Sequence, residues 1–135
     1  MKKPPKFPAG SPQEWLNHAQ SDLAFARLGL KSEEVLAAQV CFHAQQAVEK
    51  VLKMFMLYNK IPFPPVHDIE TLIEIVQHAG LQLPEWANEA ADLTPYAVET
   101  RYPGHWETFQ DTEVHKALEI ARQAIEWAKM IIAVK

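Results

Sequence analysis

Cysteine occurs once in these 135 residues, at Cys41, so no disulfide can form within the chain and no zinc site built from several cysteines can exist. Glycine occurs only four times, and neither a phosphate-cradling loop nor a dinucleotide fingerprint is present. No two histidines stand one helical turn apart, and no carboxylate cluster has ligand spacing, so no metal and no cofactor is expected. No apolar run approaches the roughly 20 residues that span a bilayer, which argues against a membrane partner. The opening "MKKPPKFPAG" has charge and proline but no apolar stretch, unlike a secretory signal. An excess of positive charge is missing too: the net charge of −4 argues against a general nucleic-acid coat but leaves room for a local basic pocket. Together these absences point to a reducing cytoplasm.

What is present is hydrophobic patterning at helical spacing. Residues 1–10 read as a flexible leader rich in proline and lysine, and residues 11–135 as one domain. Such a length buries about two-thirds of its unfolded surface, enough for a self-sufficient core. Ser11 offers an N-cap, Pro12 suits the first helical position, and Glu14 completes a capping box. Trp15, Ala19, Leu23, Ala26 and Leu30 then form one stripe, with Gly29 at its expected end. Ser32 offers a second cap for a long helix to about Tyr58, striped by Ala37, Val40, Cys41, Ala44, Val48, Val51, Leu52 and Phe55. Ala38, Phe42 and Met56 widen its apolar arc, as in a helix contacted from several sides. Glu49 and Lys53 stand one turn apart in the favourable order for a pair.

"KIPFPP" ends that helix. A third starts at His67-Asp68, continues through Ile69, Leu72, Ile73 and Val76, and stops at Gly80. Pro84 opens a shorter fourth through Trp86, Ala90 and Leu93, with Pro95 disturbing its end. Asp111 or Thr112 caps a last helix carrying Val114, Leu118, Ala121, Ile125, Ala128 and Ile132 on one face. Trp127 and Met130 fall off that face and need cover. The expectation is an all-α antiparallel bundle of four to five helices.

The segments "HAQSDLAFA" (18–26), "CFHAQQAVEKVLK" (41–53), "IPFPPVHDI" (61–69) and "RYP" (101–103) occur in an order and spacing that resembles the HEPN family of small helical bundles. The resemblance implies a homodimer with a cleft near its two-fold axis. It also implies one of three roles: a ribonuclease, a partner of a minimal nucleotidyltransferase in a toxin-antitoxin-like system, or a nucleotide-binding domain. Ribonuclease members carry Arg, four to six residues, then His; here three residues separate Arg101 from His105.

Arg101 and His105 are the candidate catalytic pair, a cation for phosphorane charge and an acid or base for the 2′-hydroxyl. Arg101 equally suits an anion-binding role or a loop anchor to Asp22 or Glu49. Tyr102, extended before Pro103, offers a ring for stacking on a base or a target for modification by a nucleotidyltransferase, and Trp106 offers another ring. Gln45 and Glu49 border the apolar stripe closely enough to line a groove, and Asp22 follows the buried side of the first helix. His43, Gln46 and Lys50 read as a solvated face. The leading expectation is a dimeric nucleotide- or RNA-binding module. A metal-independent endoribonuclease and a purely structural interaction protein are the alternatives.

Overall fold

A computed structural model describes residues 3, 7–99 and 111–133 of the chain. Within them lie five helices and no strand: α1 (Pro12–Leu30), α2 (Ala37–Tyr58), α3 (Ile69–His78), α4 (Glu85–Glu99) and α5 (Asp111–Ala133). The all-α bundle expected from the periodicity is therefore the observed architecture. The centre is α2, which lies along α1 and α5 and also touches α3 and α4. That position explains its composition. Val48, Val51, Leu52, Met54 and Met56 are all fully buried although they point in different directions around the helix.

The start of α1 follows its sequence signal. Ser11 Oγ accepts the Glu14 amide at 3.2 Å, Pro12 takes the first helical position, and Glu14 Oε1 accepts the Gly10 amide at 2.9 Å. The capping box thus closes one residue further back than the usual pattern, on Gly10 rather than on the cap residue. At the other end the helix runs past Gly29, whose bareness lets Val35 and Val40 approach: a Cβ there would meet them at 3.1 and 3.3 Å.

The expectation of a Ser32 cap for α2 is corrected. Ser32 Oγ accepts the Glu34 amide in a local turn, and the N-cap position falls to Leu36, which has no side-chain oxygen to offer. At its far end α2 closes through paired hydrogen bonds, Lys60 N to the Leu57 carbonyl and Ile61 N to the Met56 carbonyl, with Lys60 at φ 58°. This is the left-handed C-terminal cap that glycine usually supplies, and Gly80 at φ 84° supplies it after α3. The turn at Lys60 launches the proline-rich connector that carries Phe63 and His67 back over α2.

Asp68 caps α3, accepting the Glu70 amide at 3.2 Å. Pro95 lies inside α4, within its last two turns, and the helix continues to Glu99. A proline inside a helix forfeits one backbone bond but already has a helical φ, so tertiary packing can carry the helix through it. Trp127 finds its cover inside the chain, tilted against Phe55 at 4.6 Å and edge to face with Trp86 at 5.5 Å between ring centres. It therefore lends no support to a dimer, whereas Met130 stays exposed. Among the described residues no helix is long and apolar enough to cross a membrane.

Candidate functional site: a charged seam between α1 and α2

Of the candidate site residues read from the sequence, Asp22, Gln45 and Glu49 fall within the described residues. Arg101, Tyr102, His105 and Trp106 lie outside them. The described ones sit along α2 and the edge of α1 that faces it. Asp22 projects from α1 onto α2, where its Oδ2 meets Lys50 Nζ at 2.5 Å and its Oδ1 stands 3.8 Å from His43 Nδ1. The second distance is too long for a hydrogen bond, and that buried His43 nitrogen has no partner. Lys50 and His43 are therefore half-buried elements of the helix contact rather than a solvated face. Antiparallel packing of α1 on α2 turns that edge inward, a pairing over 28 residues that helical spacing cannot reveal.

One turn further along α2 a second group forms. Glu49 and Lys53, each with a side chain only 7% exposed, pair at 3.0 Å. His67, largely exposed at the end of the connector, brings its Nδ1 to 2.9 Å from the same Glu49 oxygen. The ammonium of Lys53 lies 5.7 Å from the centre of the Trp15 ring and 5.9 Å from that of Phe63, and the two rings meet edge to face. This group ties α1, α2 and the connector together. A buried carboxylate would be very costly alone, and here it is satisfied by two nitrogens.

Between the two groups the surface opens into a cleft of about 190 Å³ lined by Glu14, Trp15, His18 and Lys50. That volume is smaller than a drug-sized site and matches a single ring or phosphate group rather than an extended ligand. Gln45 of α2 is buried and is not among the residues lining the cleft, and its Oε1 has no hydrogen-bond partner. Sequence reasoning foresaw the Glu49–Lys53 pair from its spacing but not its burial, and it missed Trp15, Lys53, Phe63 and His67 as members of one cluster. No group of three metal-ligating side chains occurs among the described residues.

Cys41 is one turn before Gln45 and is buried. Burial first, and the Glu113 carboxylate second, push its thiol from 9.0 up to about 12. Only the thiolate attacks, so a rise of three pH units lowers its reactive fraction by about 1,000-fold. Ellman's reagent is expected to label Cys41 promptly in urea at pH 8 and hardly at all in the native protein. The same shift sets a stability trend. Above pH 9 the unfolded chain releases this proton while the folded chain keeps it, so this contribution to stability is lost as pH rises from 9 towards 12. Urea titrations at pH 8 and 10 measure that loss.

The fold and the seam define a class: a five-helix bundle domain with a small cleft between its first two helices. The family model for the HEPN domain matches residues 12–131, and the chain belongs to that family. Among solved structures, an archaeal HEPN homologue, ST0689, superimposes with a TM-score of 0.71 at 22% identity, covering 90% of this chain and 98% of that one. TT1696 from Thermus thermophilus superimposes with a TM-score of 0.69 at 26% identity over the same shares of the two chains. No curated protein matches the chain.

Proposed function

We propose that this HEPN-domain chain is a homodimeric module that binds a nucleotide or a short stretch of RNA. It would work in the cytoplasm beside a separately encoded minimal nucleotidyltransferase. The observation that carries the binding part is the cleft at the seam, where the Trp15 ring stands next to Lys50 and His18. Aromatic rings take stacked bases regardless of sequence, and cationic side chains take the phosphates. Arg101 and Tyr102 supply a second cation and a second ring in this reading, and Asp22, Gln45 and Glu49 hold or contact the ligand's polar edge. The transferase partner and the dimer follow from the family resemblance. Three residues between Arg101 and His105, where ribonuclease members have four to six, favour binding over cleavage.

The test is titration of the purified protein with nucleotides and with a labelled RNA oligomer, divalent ions chelated throughout. Wild type should bind without shortening the RNA, and Trp15→Ala should weaken binding about 5-fold to 150-fold, the range of a lost base stack. Arg101→Ala should weaken it as well, and His105→Ala should leave it intact. No binding by the wild type overturns the reading. Cleavage that disappears in both Arg101→Ala and His105→Ala would make the protein an endoribonuclease instead.

A further inference from the structure

Three of the four side chains lining the cleft come from a single stretch of α1, and Lys50 comes from α2. Glu14 and Trp15 each neighbour His18 across one helical turn, about 5–6 Å between Cβ atoms. The Trp15 ring is held in place by its edge-to-face contact with Phe63 and by the Lys53 ammonium, 5.7 Å from its centre. A ring fixed in this way is a stacking platform for a flat aromatic group. The polar side chains around it decide which group.

Lys50 already meets Asp22 at 2.5 Å. Glu14, half-buried, has no cationic partner among the described residues. Its Oε1 accepts the Gly10 amide at 2.9 Å, which fixes the carboxylate. Positive charge in the cleft is therefore paired while negative charge is not, and a phosphate gains less there than a group bearing hydrogen-bond donors. An ionised carboxylate has about four acceptor sites and no proton to give. Gly10 takes one of them. The rest attract N–H groups and repel the lone pairs of ring nitrogens and carbonyls. Donors come from the other two polar side chains. His18 makes no hydrogen bond among the described residues, and Asp22 engages one of the three Lys50 protons.

Of the four common bases, guanine alone suits such a lining. Its pairing edge carries two adjacent donors, N1–H and N2–H, followed by the O6 acceptor. Adenine and cytosine set a ring nitrogen with a lone pair beside their amino group. Uracil flanks its one N–H with two carbonyls. Each of these three brings a lone pair against the carboxylate when its donor approaches, and guanine does not.

We infer that the cleft is a guanine site, in which the base stacks on Trp15, Glu14 accepts from N1–H and N2–H, and His18 donates to O6. The ribose and phosphate stay outside a cleft of about 190 Å³, within reach of the remaining Lys50 protons. The inference rests on the binding function proposed above and names the base that function leaves open. Glu14 then serves twice, as a member of the α1 cap and as the residue that selects the ligand.

Isothermal titration of the full chain with the 5′-monophosphates of guanosine, inosine and adenosine, divalent ions chelated, tests it. Wild type should bind the guanosine form about 5-fold to 150-fold more tightly than the adenosine form, the discrimination of one bidentate pair. The inosine form, which lacks the N2 amine, should fall between them. Glu14→Gln keeps the cap, because glutamine serves a capping box as glutamate does, so helical circular dichroism and melting should not change. It should bind the guanosine form more weakly and the adenosine form more tightly, since its amide N–H can meet the adenine N1 lone pair. Opposite shifts for two ligands cannot come from misfolding. Two RNA hexamers that differ only by guanine or adenine at one position identify the source. A guanine preference in that pair means that the base is read within RNA, and a preference among the mononucleotides alone means a free guanine nucleotide; both carry the inference. Equal binding of guanine and adenine members throughout, or a guanine preference unchanged in Glu14→Gln, overturns it and leaves the binding module standing. No binding of any of these ligands overturns the binding function and the guanine site together.

Discussion

Replacing Glu49 with alanine is expected to lower the unfolding free energy by about 3–5 kcal/mol, the cost of leaving one member of a buried pair without its partner. The reason lies in the surroundings of Lys53, whose side chain is as buried as that of Glu49. Without Glu49 its ammonium retains, among the described residues, the Trp15 and Phe63 rings, more than 5 Å from each ring centre. Both rings stand near the roughly 6 Å limit of such contacts, so they offset the desolvated cation only in part. Removing the other partner should be milder, because in Lys53→Met the carboxylate keeps His67 and the methionine fills the stem's volume. The double variant Glu49→Ala/Lys53→Met should be more stable than Glu49→Ala alone, since it buries no orphaned charge. A urea-unfolding cycle over these variants measures the coupling. A cost below about 1 kcal/mol for Glu49→Ala would mean that the pair behaves as an exposed one.

How much of this was legible in the sequence depends on the range of each interaction. Ser11, Pro12 and Glu14 act within one turn of one another, and the start of α1 followed from them. Asp68 capping α3 and Gly80 ending it are equally local. Ser32 misled for the same reason: it is a good capping residue in a good position, but Gly29 allows the turn to fold tightly on Val35 and Val40, and that packing delays α2 to Leu36. The candidate site was legible in its members and not in its connections. Glu49 and Lys53 announce a pair by spacing, yet a one-turn spacing of three or four residues equally describes a solvated pair such as Glu126 and Lys129. Their burial comes from the connector folding back over α2, which places His67 on Glu49 across 18 residues. Asp22 and Lys50 are further apart still.

Taken together, these connections divide the bundle by task. The apolar arcs of all five helices build one core, to which α1 adds Leu16, Ala19, Leu23 and Ala26, while one edge of the α1–α2 contact concentrates charge. Buried ion pairs are often no more stabilising than hydrophobic side chains of the same volume, so their presence is poorly explained by stability. The binding role proposed above would account for them more directly. The pairs hold Trp15 and Lys50 in fixed positions beside the opening, and pre-set side chains lose less entropy when a ligand arrives.

Gln45 provides the sharpest test of that division, because stability and binding should move in opposite directions there. Its side chain is 8% exposed, and its Oε1 meets no donor. An unsatisfied buried acceptor carries a desolvation cost of about 1–3 kcal/mol, which an apolar side chain of similar volume avoids. Gln45→Leu is therefore expected to raise the unfolding free energy by about 1–2 kcal/mol in a urea titration. If Gln45 is retained for the ligand, the same variant should lose nucleotide or RNA affinity, about 5-fold to 10-fold for one neutral hydrogen bond. A stabilised variant that binds as tightly as the wild type would remove Gln45 from the site while leaving the seam in place. A variant less stable than the wild type would mean that Oε1 is satisfied in solution, and its burial would then carry no desolvation cost to recover. Gain in stability together with loss of affinity is the result that fits a residue kept for what it binds rather than for what it packs against.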